Sequence, residues 1–230
     1  DFQDDAIIKI NSDGEILFKK SVSEILLENK IWDDNQINLL SNNIRNKLDP
    51  IHLNDIEPIF FDSKYWKKGD VFLSLRHQSS VIHYRPDENK IINYITGPFS
   101  QQHDVDIISQ EEIMIFNNNN FVTDNEFSEI LIYNFKTKKF KKLLQKQLKK
   151  EKFKTYSGGV AQMLKDGSIM VDEHDHGRII FFDNKGIKEW EYTNKDKNGD
   201  INLTSWPTII EDEDIIQRFK ELKKNTKCTN

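Results

Sequence analysis

Four segments of this chain repeat one pattern, in which a strand of alternating apolar residues is followed by a tight polar turn and a second alternating strand. The four segments are residues 6–18, 81–94, 130–140 and 179–190. The turns Ser12-Asp13-Gly14 and Asn184-Lys185-Gly186 contain residues that tolerate the positive φ angles of tight hairpins. The repeat therefore predicts four antiparallel hairpins spread over a chain of 230 residues.

A second pair of strands is predicted ahead of each of the last three hairpins. These pairs are residues 52–59 with 70–75, 104–108 with 113–116, and 159–164 with 168–172. Four antiparallel strands in a unit of about fifty residues are typical of a propeller blade. His52-x-x-Asp55-Ile56 also recurs 51 residues later as His103-x-x-Asp106-Ile107. We therefore predict an all-β fold, a β-propeller of four-stranded antiparallel blades. The alternative is an unrelated antiparallel β domain with similar hairpins.

We interpret residues 1–230 as a single, partial propeller domain with three whole blades. The hairpin at residues 6–18 is the outer half of a fourth blade, and residues 201–210 are predicted to supply one more inner strand. A closed four-bladed ring is the less common alternative, so we expect further blades upstream. Residues 22–48 show helical spacing and predict a helical insertion, and residues 211–224 predict a C-terminal amphipathic helix.

Composition and charge exclude several functions. No segment approaches the roughly eighteen consecutive apolar residues of a membrane-spanning helix, so we expect no membrane span. A net charge of −5 argues against a nucleic-acid partner. Cys228 is the one cysteine, which excludes an internal disulfide framework and a cysteine-based zinc site. The basic run at residues 136–154 is interrupted by apolar residues and fits a solvated hairpin and helix.

The inner strands carry the candidate site residues, because inner strands of propellers line the central channel. His52 and His103 are predicted to begin equivalent inner strands, so their side chains should converge. Asn54 follows on the same side as His52 by strand alternation, and Arg76 follows the second strand of that blade. Two imidazoles, an amide and a guanidinium suit an oxyanion such as sulfate or phosphate. The alternative is that these are hydrogen-bonded structural residues.

The same residues carry a resemblance to the bacterial arylsulfotransferase family. Residues 52–55 read His-x-Asn-Asp, residues 74–76 read Ser-x-Arg and residues 102–104 read Gln-His-Asp. Residues 158–170 and 186–192 are similar to later blades of that family, and the likeness extends over about residues 50 to 210. The resemblance implies a six-bladed propeller, secreted or periplasmic, that moves a sulfuryl group from a phenolic sulfate ester to a phenol. It implies no nucleotide or other cofactor and no metal.

The resemblance also implies roles for four residues. His103 would be the nucleophile that becomes sulfated, and His52, Asn54 and Arg76 would bind the sulfuryl oxygens. The partners would be a small-molecule aryl sulfate donor and a phenolic acceptor. Residues 62–68 form an insertion before Arg76, the spacing of the two histidines is short for the family, and a further channel histidine is missing. These departures indicate a divergent member. The alternative function is a non-catalytic propeller that binds a ligand or a protein partner.

Three further polar segments are interpreted as structural. Residues 173–177 contain two histidines and two carboxylates, which could bind a metal, but we favour a solvated turn between strands. Residues 194–199 resemble the start of a calcium loop, but Ser205 occupies the position of the final glutamate, so a polar loop is predicted. Residues 117–120 are predicted to form a blade turn. His77, His83 and Arg85 are expected on or near outer strands, facing solvent or blade interfaces.

Overall fold

The structure, a computed structural model, describes residues 2–33, 48–120 and 127–226. It divides into two compact units, Asp1–Gly159 and Val160–Asn230, and each is described by itself. The described strands form one two-stranded sheet and three four-stranded antiparallel sheets. Consecutive strands are neighbours in every sheet, so the blades predicted from the repeat are confirmed.

The first unit contains a hairpin, a short helix and two four-stranded blades. The hairpin and the short helix are β1 Ala6–Ile10, β2 Ile16–Ser21 and α1 Val22–Glu28. Blade A consists of β3 Leu53–Pro58, β4 Val71–Leu75, β5 Ser80–Arg85 and β6 Lys90–Ile95. Blade B consists of β7 His103–Ile107, β8 Glu112–Asn117, β9 Glu129–Asn134 and β10 Lys139–Leu143, and it is followed by α2 Gln145–Lys150. The second strand of the β9–β10 hairpin and helix α2 fall in the basic run at residues 136–154, which the sequence analysis interpreted as a hairpin and helix.

Helix α1 covers residues 22–28 of the helical insertion predicted at residues 22–48. Helix α1 begins after Ser21, whose side-chain oxygen accepts a hydrogen bond from Glu24 N. It ends at Glu28, because the Asn29 side chain donates to Ile25 O and Lys30 takes a positive φ of 57°. The prediction is wrong for residues 29–33 and 48, which are not helical. The remainder, residues 34–47, lies outside the described residues.

Aromatic side chains fill the core between blades A and B. Trp66, from the insertion at residues 62–68, is 1% exposed and packs edge-on against Phe72 and Phe135, with ring centroids 5.8 and 5.3 Å apart. Phe72 lies in blade A, and Phe135 follows β9 of blade B. Edge-to-face aromatic pairs are favourable beyond the area that they bury. The insertion therefore supplies part of the core that joins the two blades.

A buried charged cluster lies in blade A beside this aromatic core. The Asp70 carboxylate accepts hydrogen bonds from Arg85 Nε at 2.7 Å and Nη2 at 2.9 Å, and it lies 2.9 Å from His83 Nε2. Burial alone would raise the pKa of Asp70, but the hydrogen bonds from Arg85, the Lys67 backbone and His83 outweigh this effect and lower the pKa. His83 is fully buried and its ring contacts Phe135 of blade B. His83 therefore lies at a blade interface, one of the two predicted environments.

The second unit contains one blade and the C-terminal helix. Its elements are blade C, with β11 Ala161–Met163, β12 Ile169–Glu173, β13 Arg178–Phe182 and β14 Lys188–Thr193, and helix α3 Glu213–Asn225. The predicted C-terminal helix is confirmed within two residues. Residues 174–176 form a 3-10 turn between β12 and β13, as predicted, and residues 196–200 form a polar turn in which Asp196 accepts from two backbone N–H groups. No helix among the described residues has the length and apolar character of a membrane span.

The prediction of an inner strand at residues 201–210 is wrong. Apart from a single bridge at Ile201, the segment has no strand pairing. Its contact with β11 runs through the amide side chain of Gln162, which accepts from Ile209 N at 2.7 Å and donates to Ile209 O at 2.8 Å. Pro207 cannot donate a backbone hydrogen bond, and Trp206 takes a positive φ of 51°. Both features prevent a regular ladder.

Candidate functional site

The candidate residues of blade A lie at one end of the β3–β4 strand pair. Arg76 N donates to His52 O at 3.0 Å, and His77 N donates to Ile51 O at 3.2 Å. These backbone hydrogen bonds extend the pairing beyond the strands and hold the side chains of residues 52, 76 and 77 at the same end. The His52 and His77 rings lie 4.5 Å apart between centroids.

The candidate residue of blade B, His103, is joined to this end through its neighbour. Asn54 Nδ2 donates to Gln102 O at 2.8 Å, which ties β3 to the residue immediately before His103. Burial lowers the pKa of the His103 imidazole, and the nearby charges of Arg76 and His52 lower it further. The structure therefore brings His52, Asn54, Arg76 and His103 into one region of the first unit.

The two histidines are not at equivalent positions of their strands. His103 is the first residue of β7, whereas His52 precedes β3 and takes a positive φ of 52°. The register of β3 shifts at Asn54 and that of β7 shifts at Asp104, 50 residues later. The two bulges are therefore 50 residues apart along the chain, whereas His52 and His103 are 51 residues apart. A bulge changes the side on which the next residues point, so simple strand alternation from His52 to Asn54 does not apply.

His103 is buried and held by one amide. Its Nδ1 lies 2.7 Å from Asn118 Oδ1, and Asn118 Nδ2 donates to Thr155 O at 3.2 Å and Gly158 O at 2.9 Å. These two carbonyls fix which end of the Asn118 amide carries oxygen, so His103 Nδ1 is the donor. Burial, with the charges of Arg76 and His52, lowers the pKa of His103 to about 4. The imidazole is therefore neutral at pH 7, with its lone pair on Nε2.

Arg76 is held at both terminal nitrogens of its guanidinium. Its Nη1 lies 2.7 Å from His77 Nε2, and its Nη2 lies 3.4 Å from both Gln101 Oε1 and Tyr156 O. Asn120 Nδ2 donates to the same two oxygens, at 2.7 and 2.8 Å. An arginine fixed in this way presents a preorganised positive charge to an anion.

The one group of side chains in the described residues with the geometry to hold a metal ion is Asp49, His52 and His77. One ligand atom from each lies within 4.8 Å of the others. The expectation that His77 lies on or near an outer strand is corrected here. It follows β4 and faces Asp49 and Arg76, because its backbone N–H pairs with Ile51 O across the end of the inner strands.

Comparison with known proteins decides the family. The family model described as arylsulfotransferase (ASST) matches residues 1–195 of this chain. The chain belongs to the arylsulfotransferase family. No curated protein matches the sequence at a significant level.

Solved structures similar to this arylsulfotransferase-family chain share its fold. A protein of unknown function from Bacteroides caccae matches with a TM-score of 0.54 at 11% identity, over 82% of this chain and 59% of that one. The Dos1 propeller matches with a TM-score of 0.49 at 8% identity, over 84% of this chain and 44% of that one. The chain thus spans about half the length of these proteins. The three four-stranded antiparallel sheets of consecutive strands confirm the β-propeller class predicted from the sequence.

Three residues of the site were missed by the sequence analysis of this arylsulfotransferase-family chain. Asp49 and His77 had no recognisable motif. Asn118 lies in the asparagine run at residues 117–120, which was interpreted as a turn, although Asn117, Asn118 and Asn119 are all buried. A run of asparagines beside an apolar strand is a usable signal, since buried amides need several hydrogen-bond partners and tend to order neighbouring groups.

Carboxylates join the two inner strands below the histidines. Asp55 Oδ2 accepts from Val105 N at 2.7 Å, and Glu57 Oε1 accepts from Ile107 N at 3.4 Å. Burial, followed by repulsion from Asp106 and Asp55, raises the pKa of Glu57 to about 7. Burial, followed by repulsion from Asp55, raises the pKa of Asp106 to about 6. The free-energy cost of burying these carboxyl groups is therefore lowest when Glu57 and Asp106 are protonated.

We expect Glu57→Gln to stabilise the protein at pH 8 but not at pH 4.5. The pKa of Glu57 is 4.5 when unperturbed and about 7 in the folded chain, so the folded state binds more protons between these values and loses stability as pH rises through them. Glutamine keeps the acceptor for Ile107 N without the charge. The side chain is partly exposed, so the gain is on the order of 1–2 kcal/mol. Thermal unfolding at both pH values measures it. A gain of equal size at both, or the same gain in the exposed control Glu15→Gln, would contradict it.

Proposed function

We propose that the protein is an aryl-sulfate sulfotransferase that transfers a sulfuryl group from a phenolic sulfate ester to a phenol through a sulfohistidine at His103. The observation that supports this most is the state of His103. Asn118 holds Nδ1–H, the low pKa keeps the ring neutral, and Nε2 keeps the lone pair of a nucleophile. Membership of the arylsulfotransferase family supports the reaction class.

The transfer is a two-step displacement in which His103 alternates between free and sulfated forms. In the first step Nε2 attacks sulfur, an N–S bond forms, and the S–O bond to the phenol breaks, so a phenolate leaves. The ring is then an N-sulfoimidazolium that retains Nδ1–H on Asn118 Oδ1. In the second step the oxygen of the acceptor phenol attacks sulfur, a new S–O bond forms and the N–S bond breaks, so neutral His103 is regenerated. The phenol proton passes to solvent and balances the proton that the phenolate of the first step takes up. The kinetics are therefore ping-pong.

The other predicted residues act on the sulfuryl oxygens. Arg76 supplies a fixed positive charge, and His52, whose side chain is 40% exposed, supplies a second donor at Nε2 as an imidazolium paired with Asp49. Preorganised donors of this kind stabilise charge that develops in the transition state. Asn54 uses one amide hydrogen on Gln102 O, which leaves its second hydrogen for a sulfuryl oxygen.

The substrates are small molecules, an aryl sulfate donor and a phenolic acceptor, and the reaction needs no nucleotide cofactor. The location proposed is periplasmic or secreted. These assignments rest on the family and extend to the whole protein, of which the chain covers the part that contains His52 to His103.

The test is covalent trapping in the full-length protein. After incubation with 4-nitrophenyl sulfate and no acceptor, we expect a burst of 4-nitrophenol and a mass gain of one sulfuryl group on the peptide that contains His103. Because N–S bonds to imidazole are acid-labile, the adduct should survive alkaline but not acidic digestion. Adding phenol should discharge it. A protein that binds a ligand but forms neither adduct nor nitrophenol would support the non-catalytic alternative.

A further inference from the structure

Asp49 makes two different contacts to the site from a single position just before β3. Its carboxylate accepts from His52 N at 3.1 Å, and its Oδ2 lies 2.5 Å from His52 Nδ1. Its backbone carbonyl oxygen lies 2.5 Å from His77 Nδ1. The side chain of Asp49 therefore hydrogen-bonds to His52 and its main chain hydrogen-bonds to His77, and Asp49 Oδ2 also lies 3.8 Å from His77 Nδ1.

The contact to His77 fixes the hydrogen bonds of that ring. A carbonyl oxygen only accepts, so His77 Nδ1 must carry a proton and donate it. Arg76 Nη1, 2.7 Å from His77 Nε2, can only donate, so Nε2 must carry the lone pair. Burial lowers the pKa of His77, which is consistent with a neutral ring. A continuous chain of hydrogen bonds thus runs from Arg76 through His77 to the backbone of Asp49.

The exposure of the two rings separates their roles. The His77 side chain is 12% exposed, whereas that of His52 is 40% exposed, and the rings pack at 41° to each other. His52 can therefore reach a substrate with the ring nitrogen that Asp49 does not hold. His77 is enclosed between Asp49 and Arg76.

We propose that Asp49 and His77 are positioning residues of the sulfuryl-binding site, with the Asp49 carboxylate orienting His52 and His77 orienting Arg76. This inference rests on the proposed function for its catalytic consequence. The carboxylate fixes the His52 ring so that Nε2 is its free nitrogen. His77 fixes the guanidinium by accepting from Nη1, while Gln101 Oε1 and Tyr156 O accept from Nη2.

The alternative role for Asp49, His52 and His77 is to bind a metal ion. Such an ion would need the Nδ1 lone pair of His77, while Arg76 already occupies Nε2 of that ring. It would also stand close to the positive guanidinium. The hydrogen-bonded arrangement satisfies every one of these groups without a cation.

The kinetic test uses paired variants in the full-length protein with 4-nitrophenyl sulfate and phenol. His77→Phe removes the acceptor for Arg76, whereas His77→Gln can still accept from Arg76 and donate to Asp49 O. Small misplacement of a catalytic group can cost about a hundredfold. We expect His77→Phe to lower kcat about tenfold to a hundredfold with KM within about threefold. His77→Gln should recover most of the loss. Asp49→Ala should lower kcat similarly, and Asp49→Asn less.

Double variants distinguish positioning from independent roles. Since each residue acts through another, His77→Phe in an Arg76→Ala background, and Asp49→Ala in a His52→Ala background, should cause little further loss. The exposed Asp13→Ala is the matched control and should leave kcat unchanged. Losses that multiply in the double variants would overturn the proposal. So would a rise in KM at constant kcat, or turnover that a chelator abolishes and Zn²⁺ restores.

A second measurement needs no activity and so separates this proposal from the proposed function. Nitrogen NMR of the protein labelled at histidine should show His77 protonated at Nδ1 and unprotonated at Nε2. Asp49→Ala should alter the His52 signals and leave the tautomer of His77 unchanged, because the backbone carbonyl remains. If His77 carries its proton on Nε2, the positioning role is wrong even in an active enzyme. If the tautomers hold but no adduct forms, the sulfotransferase function fails and the hydrogen-bonded arrangement stands.

Discussion

His103→Ala is expected to abolish sulfuryl transfer in the full-length protein while aryl sulfate binding persists. The substitution removes the nitrogen that would carry the sulfuryl group, and the neutral imidazole held by Asn118 has no substitute in the described site. The expected result is no burst, no adduct and turnover at the level of a blank, with the donor still bound in a titration monitored by calorimetry. Thermal unfolding should show that the variant is folded.

Variants of the charged neighbours give the comparison that makes this result specific. Removing one preorganised donor typically costs about 10² to 10³ in rate, roughly 3–4 kcal/mol. His52→Ala and Arg76→Ala should therefore be slow but measurable, and Asn54→Ala should lose less than Arg76→Ala. If His103→Ala keeps near-normal turnover and His52→Ala abolishes it, the nucleophile is His52. If both retain full activity, the reaction takes place elsewhere.

Asp70→Asn is expected to cause the largest loss of stability of any single substitution discussed. Asp70 is 1% exposed and receives two hydrogen bonds from Arg85 and one contact from His83. Asparagine has nearly the same shape but no charge, so the guanidinium, which is 14% exposed, loses its buried counter-ion and keeps only the exposed Glu88, 3.3 Å from Nη1. Removing one partner of a buried ion pair costs about 3–5 kcal/mol.

Urea unfolding and thermal unfolding measure this cost directly. We expect a fall in Tm of about 10 °C and a lower urea midpoint at unchanged m-value. Asp87→Asn, an exposed aspartate in the neighbouring β5–β6 turn, is the control and should change stability by less than about 0.5 kcal/mol. A loss below about 1 kcal/mol for Asp70→Asn would show that the cost of desolvating the pair nearly cancels its attraction.

The blades were predictable because strands leave a strong local signal. Alternation of apolar residues and turns such as residues 12–14 depend only on neighbours in the chain, and they identified each outer hairpin within a few residues. The inner strands followed from the repeat. Residues 201–210 failed because their apolar pattern resembles a strand, whereas Pro207 and the backbone of Trp206 prevent pairing.

The proximity of the four candidate residues was predictable, but their geometry was not. His52, Asn54, Arg76 and His103 do lie in one region, which the repeat indicated. The bulges at Asn54 and Asp104 could not be seen, because an extra residue in one strand leaves the alternating pattern almost unchanged. Asp49 and His77 come into contact because His52 takes a left-handed backbone conformation and because the backbone before β3 pairs with the backbone after β4. Such contacts depend on the three-dimensional fold and leave no periodic pattern in the sequence.

The hydrogen bonds that join the inner strands of blades A and B depend on the side chains of one strand and on the backbone of the other. In three hydrogen bonds, β3 contributes the side chains of Asn54, Asp55 and Glu57, and the neighbouring chain contributes main-chain atoms of residues 102, 105 and 107. Mutational drift in β7 can therefore change side chains without breaking these three bonds, while drift at the β3 positions removes them. Among homologues, the β3 residues should accordingly show constraint without co-varying partners. A contact predictor based on paired substitutions would miss the junction that orders the residue before His103.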